Sequence, residues 1–345
     1  KSAHMPADKL KELFGIDAPT EEGLNAVHAC EGILDGRVKA MISLGGNLVR
    51  ALPDRERMEA AWPKLRLSVH VATKLNRSHL APGKVSYILP CLGRTDRDIQ
   101  AGGEQAVSME DTFSHIYGSI GQAEPPSDQV KSELAVVAGI AKATPPPNPA
   151  LRWDEWTANY DLVRALIART FPDDFAEMNE KLMQPGGFYR GNPARERNWQ
   201  TDSGKAQFTT PTTLSALGGK PAGKDGMTLV TLRSNDQFNT TIYGLNDRYR
   251  GLAGERRVVL MNKNDMDRRG IPDEGLVDIV GRREAAGRVA ERILAVAYEI
   301  PEGCAATYFP EANVLVPLAV RADRSETPAS KLVVVDVRPA RDLQR

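Results

Sequence analysis

At 345 residues the chain has room for two or three domains, and 41% hydrophobic with 26% charged residues is ordinary for a packed globular protein. Forty-five lysines and arginines balance 45 aspartates and glutamates, which argues against a general polyanion binder, nucleic acid included. One phosphorylated small molecule held by a few local groups stays compatible with that balance.

No apolar run approaches the roughly 18 residues needed to span a bilayer. The first residues, Lys1 to Met5, contain no hydrophobic signal core, so the expectation is a cytoplasmic protein with no membrane partner. The same start lacks an initiator methionine and leads directly into a helix, which fits equally a chain entered midway or a tag remnant. Cys30, Cys91 and Cys304 are scattered, without the spacing of a zinc or iron–sulfur site. They suit a reducing compartment, each as a small buried apolar residue.

In chain order, residues 6–16 predict a short amphipathic helix. Thr20-Glu21-Glu22 predicts the start of a second, with Leu24, Val27, His28 and Ile33 as its stripe and Gly36 as its end. Residues 38–44 form a nearly continuous apolar run, the pattern of a buried parallel strand. Gly45-Gly46-Asn47 follows, then a helix over 54–65 and strands over 67–71 and 85–89. That β-α-β-α-β progression predicts a doubly wound sheet. Residues 91–121 are irregular and 132–143 helical, with Pro145-Pro146-Pro147 as the clearest linker. Helices are expected over 153–170 and 174–183, and loop over 185–226. From Met227 short β-branched runs recur at 228–232, 258–261, 276–280, 288–296, 307–308 and 332–337, predicting a small closed barrel or compact sandwich.

Two segments carry the chemistry. Glycines 45 and 46 at a strand's carboxyl end let backbone approach a phosphate, and Asn47 can serve both a donor and an acceptor. A simple tight turn explains the same residues, and without G-x-G-x-x-G an NAD-linked dehydrogenase is disfavoured. The segment 72–79 ends the next strand, where ligands bind in such sheets. Lys74 and Arg77 suit phosphate, while Thr73, Asn76 and Ser78 add neutral donors; His79 reads as a satisfied helix-start histidine. Arg94, Asp96, Arg97 and Asp98 crowd together as a solvated charge cluster would. Glu133 sits at a helix start, where the dipole favours a carboxylate, and could accept from a guanine edge.

The phrases LGGNLVRALPD (44–54), VATKLNRSHL (71–80), YILPCLGRTDRD (87–98), TDSGKAQF (201–208), MNKNDMDRRGIPDEGLVDI (261–279) and YFPEAN (308–313) occur in one order. Together they resemble the C-terminal half of a molybdopterin oxidoreductase of the dimethyl sulfoxide reductase superfamily, nearest its formate-dehydrogenase-like, YdeP-type alpha subunits. The likeness runs over nearly all of residues 6–341. It implies a helical lead-in (1–18), a Rossmann-like parallel α/β cofactor-binding domain (19–144), a connector (145–226) and a C-terminal double-psi β-barrel, the molydopterin dinucleotide-binding domain (227–341). The implied cofactor is bis-molybdopterin guanine dinucleotide with molybdenum or tungsten. Carried over by position, its contacts include Gly45, Gly46, Asn47, Thr73, Lys74, Asn76, Arg97 and Glu133. In the barrel they include Thr231, Arg233, Ser234, Asn235, Gln237, Asn239, Thr240, Thr241, Phe309, Asn313 and Lys331.

Two departures stand out. Pro317 replaces a second asparagine that many relatives carry. The family's iron–sulfur cysteines and metal-ligand loop have no counterpart here, so no catalytic residue or metal ligand is assigned. The resemblance therefore implies a fragment or one piece of a split enzyme, inactive alone, whose partner is an N-terminal half or complementary subunit bearing the cluster. Its substrate would be a small anion such as formate. The alternative is a free-standing guanine-nucleotide-binding or scaffold module without redox activity.

Overall fold

The computed structural model describes residues 7–144, 146–208, 210, 222–223, 225–240, 242–323 and 325–341. Contacts divide the chain into two compact units that cut across sequence order. One gathers Leu24–His70, Leu75–Ile88 and everything after 210; the other gathers Lys1–Gly23, Val71–Lys74 and Leu89–Thr210. A division at 144 and 226 follows chain order, whereas packing groups residues 24–70 and 75–88 with the barrel.

Helix α1 spans Ala7–Phe14 and α2 Ala26–Leu34. The expected start of α2 at Thr20 is corrected: the N-cap is Asn25, whose side chain accepts from the His28 amide. Threonine and two glutamates look locally like a helix start, but the side chains that bury, Val27, Cys30 and Ile33, begin only after Asn25. Strands β1 (Ala40–Leu44), β2 (Leu67–Ala72) and β3 (Val85–Pro90) form one sheet in that order. Strand starts meet starts, through Leu67 N to Lys39 O and Lys84 N to Leu65 O, and Cys91 N reaches Ala72 O beyond the ends. The three strands are therefore parallel. Helices α3 (Leu48–Ala51) and α4 (Arg55–Ala61) cross from β1 to β2, and a 3-10 turn, Arg77–Leu80, lies between β2 and β3.

Only β2 is buried along its length. The apolar run of β1, expected to be covered, leaves Ile42 52% and Leu44 55% exposed, and Tyr87 of β3 is 56% exposed. The core beside this sheet is instead built by Val27, Ile33, Met58, Trp62 and Leu65, with Leu318 from near the chain's end.

Six strands close the barrel: β9 (Met227–Leu232), β10 (Val258–Met261), β11 (Leu276–Gly281), β12 (Val289–Ala297), β13 (Cys304–Tyr308) and β14 (Val333–Pro339). Their order is β10-β12-β11-β14-β9-β13, closing through β13 and β10. Two pairs, β10 with β12 and β9 with β13, run parallel. Alternation does the sorting: Met227, Leu229 and Val333, Val335, Val337 point inward to one core. A bulge between Val277 and Ile279 leaves the Arg292 amide without a ladder partner, and the buried Asp278 carboxylate accepts it at 3.0 Å.

The other unit holds a hairpin of β4 (Ile99–Gln100) and β5 (Gly103–Glu104), and a sheet of β6 (Val107–Glu110), β7 (His115–Ser119) and β8 (Phe188–Tyr189). Helices α5 (Glu133–Ala143), α6 (Trp153–Ala158), α7 (Tyr160–Thr170), α8 (Pro172–Phe175) and α9 (Met178–Leu182) complete it. Residues 91–121, expected to be irregular, contain four strands, too short to show a period. Within the proline linker, Pro145 lies outside the described residues.

Candidate functional site

The β1–α3 turn is set by two left-handed glycines, Gly45 at φ 71° and Gly46 at φ 77°, a conformation costly for residues with a Cβ. Nothing lies within 4 Å of where a Gly46 Cβ would stand, so backbone is bared to open space. Asn47 behind it is only 5% exposed. Its Oδ1 accepts from the Ser78 amide (3.2 Å) and hydroxyl (2.8 Å), and its Nδ2 donates to the Thr240 carbonyl at 3.3 Å. The Ser78 hydroxyl in turn accepts from the Val49 amide at 3.0 Å.

Asn76 donates to the Gly46 carbonyl at 2.9 Å, and its own amide is held by His79 Nδ1 at 3.0 Å. His79 is thus a turn cap. Burial lowers its pKa, which keeps Nδ1 an acceptor. Three segments that sequence reasoning nominated separately meet here: the glycine turn, residues 76–79 and the barrel loop at Thr240.

The barrel loop 233–240 leaves the end of β9. Its frame is Arg256, 3% exposed, directly ahead of β10. Arg256 donates to Ser234 Oγ (2.6 Å), Gln237 Oε1 (3.1 Å), the Phe309 carbonyl (3.0 Å) and both oxygens of Glu311 (3.3 and 3.2 Å). Tyr243 and Tyr308 lie against the same guanidinium at 4.3 and 4.7 Å. Gln237 also donates to the carbonyls of Asn239 (2.7 Å) and Phe309 (2.8 Å). Asn235 is bonded to its neighbour Asp236, and both Asp236 and Asn239 have positive φ. The loop's shape is therefore held from beneath.

At the loop's edge Arg233 lies over the Phe309 ring at 4.8 Å. Lys331 donates to the Thr231 carbonyl; burial, and then the charge of Arg233, lower its pKa. Among the described residues neither cation has a carboxylate within ion-pair distance, so this edge favours an anion. Asn313 is buried and donates to the carbonyls of Arg50 (3.1 Å) and Ala51 (2.8 Å), closing the end of α3. Pro317 is buried between Val316, whose carbonyl accepts from the Asp54 amide, and Leu318, whose amide donates to the Asp54 carboxylate. Thr241 lies outside the described residues.

In the other unit Thr73 and Lys74 are exposed. Arg97 is taken up by Glu104 (3.3 Å) and Glu124 (3.0 Å). Glu133, first residue of α5, lines a cavity of about 250 Å³ with Asp96, Asp98, Gln105 and Ser132. One wall is fixed by Tyr160, whose hydroxyl lies 2.6 Å from Asp98 and 2.7 Å from Ser132. Burial pushes the Cys30 thiol up to about 12 and Cys91 up to about 11, so both are protonated packing residues.

Sequence reasoning missed Arg256 altogether and took Ser78 only as a neutral donor. Neither has a local signature, because the side-chain hydrogen-bond partners of Arg256 lie 19 to 55 residues away and those of the Ser78 hydroxyl 29 and 31.

The family model described as Molydopterin dinucleotide binding domain matches residues 227–334. The match falls on the barrel. With it, the resemblance to the dimethyl sulfoxide reductase superfamily read from the sequence stands. An uncharacterized oxidoreductase of Mycobacterium tuberculosis is 43% identical over 346 residues, covering 97% of this chain and 44% of that protein. Protein YdeP of Escherichia coli is 39% identical over 342 residues, covering 96% and 44%. The chain thus spans less than half the length of the curated relatives it matches. Acetylene hydratase from Pelobacter acetylenicus shares the fold at a TM-score of 0.58, with 13% identity, over 97% of this chain and 50% of that one. Among the described residues no helix is long and apolar enough to cross a membrane.

Proposed function

We propose that the chain is the cofactor-binding C-terminal portion of a formate-dehydrogenase-like oxidoreductase that uses bis-molybdopterin guanine dinucleotide with molybdenum or tungsten. Supporting this reading, the molydopterin dinucleotide binding domain's loop is prearranged, and Asn47 ties it to the glycine turn. We read the closed barrel, with its two parallel pairs, as double-psi, and the parallel sheet ahead of it as Rossmann-like.

The residues present suit the cofactor's chemistry. Bare Gly46 backbone and the cations Arg233 and Lys331 match phosphate groups. Ser234, Asn235 and Thr240 are neutral donors for pterin or ribose edges, and Lys74, exposed and without a partner among the described residues, is a further cation. Glu133, Asp96 and Asp98 offer acceptors to the amino and imino groups of a guanine. When bound, the metal–dithiolene group supplies the two-electron step. The chain's own residues hold and orient that group and keep its surroundings fixed. In the formate branch, one formate gives carbon dioxide, one proton and two electrons. The metal ligand and iron–sulfur cysteines would come from a segment or subunit outside residues 1–345, so these residues alone should not turn over formate.

Metal and pterin analysis of the purified protein tests the proposal. Molybdenum or tungsten together with pterin is expected. A guanine nucleotide without metal or pterin would favour a binding or scaffold module instead.

A further inference from the structure

We propose that a second site, an arginine-lined cavity beside the barrel, binds an oxyanion of the phosphate class. The cavity measures about 340 Å³ and lies among Arg50 of α3, Arg55 of α4, Arg257 ahead of β10, the start of β12 and Glu311. A water's share of liquid volume is about 30 Å³, so the space takes a phosphate or diphosphate with its hydration.

Three observations give it its charge. Arg50 is partly buried, and among the described residues its guanidinium makes no hydrogen bond or ion pair. Burial lowers its pKa, and the charges of Arg55 and Arg77 lower it further, only partly offset by Glu311. Arg55 Nε is buried without a hydrogen-bond partner; its nearest carboxylate, Glu59, stands at 3.8 Å and is shared with Arg77 at 3.5 Å. Arg257 borders the same space and spends one N–H on the Glu291 carbonyl.

Acids are present too. Glu311 faces the cavity but is engaged twice by Arg256, while Glu56 and Glu291 are exposed. The wall is therefore left with guanidinium donors that are not fully used: Arg50 has no hydrogen bond or ion pair among the described residues, and the buried Arg55 Nε has only a shared carboxylate at 3.8 Å. A planar fork of donors matches a tetrahedral oxyanion better than chloride or water. This inference does not depend on the cofactor assignment, since the ligand it names is phosphate itself.

The test is calorimetric titration of the 345-residue chain with inorganic phosphate and with pyrophosphate at constant ionic strength, repeated on Arg55→Gln, Arg55→Lys and Arg257→Gln. Saturable binding to the unaltered chain is expected. Either glutamine variant should weaken it about tenfold, with part restored by lysine. Arg257 is exposed, so its variant keeps the test usable if Arg55→Gln folds poorly. Guanosine and GDP arms identify the source. If the phosphoryl group belongs to a nucleotide, GDP binding weakens in the variants and guanosine binding does not. If the anion is free, GDP binding is unchanged while phosphate binding falls. Absence of saturable binding, or equal affinity in all variants, overturns the proposal.

Discussion

Asn47 and Thr240 lie 193 residues apart in the chain, and the Asn47 side-chain amide donates to the Thr240 carbonyl at 3.3 Å. The same side chain accepts twice from Ser78. Asn47→Ala would leave the buried Ser78 hydroxyl short of an acceptor and the Thr240 carbonyl short of a donor, while the Ser78 amide keeps Asn76 Oδ1 at 3.0 Å. We expect a loss of about 2 kcal/mol in denaturant unfolding. Asn47→Asp should be worse, because it keeps the acceptor for Ser78 but turns a carboxylate toward a carbonyl. Equal stability of all three proteins would remove Asn47 as the tie.

Asp54 is a second tie. Its carboxylate is 2% exposed, pairs with Arg288 at 2.5 Å and accepts the Leu318 amide at 3.0 Å. Asp54→Asn should cost about 3 kcal/mol by stranding Arg288. In a double-mutant cycle with Arg288→Gln, a coupling of at least about 1 kcal/mol is expected. Strict additivity would show that the pair is ornamental.

The barrel was legible in the sequence because its strands are short, β-branched and separated by clear turns; Val333 to Val337 alternates inward and outward as written. Gly45-Gly46-Asn47 was legible because a strand must end before it. Asp54, Asp247 and Arg256 were not legible, since each acts on partners far along the chain. The exposure of β1 was missed for a related reason. An apolar run announces a strand but not what covers it.

Stability should depend on pH at both extremes through Asp247 and Tyr308, whose side chains bond at 2.7 Å. Burial pushes Asp247 up, but the Tyr308 hydroxyl and Arg250 outweigh it and bring its pKa below the ordinary 3.8. Its contribution is therefore present above about pH 4 and lost as pH falls through the lowered value. Tyr308 is raised above its ordinary 10.0, by burial first and then by Asp247. Its contribution is complete below pH 10 and lost as pH climbs beyond. Melting curves of Asp247→Asn should show a flatter acid limb than the unaltered protein; an identical acid limb would contradict the assignment.

Lys74 is exposed, with no partner among the described residues. Lys74→Ala should leave apo stability within about 0.5 kcal/mol. Cofactor retention should fall about tenfold, the value of one charge-assisted bond. A stability loss without a change in retention would mean that Lys74 serves the fold.

The most direct measurement is the molar ratio of molybdenum plus tungsten to guanine in protein purified from its own cells grown with both metals. The account predicts one metal and two guanines per chain, with pterin in the same fraction. Guanine without metal, or neither, would contradict it.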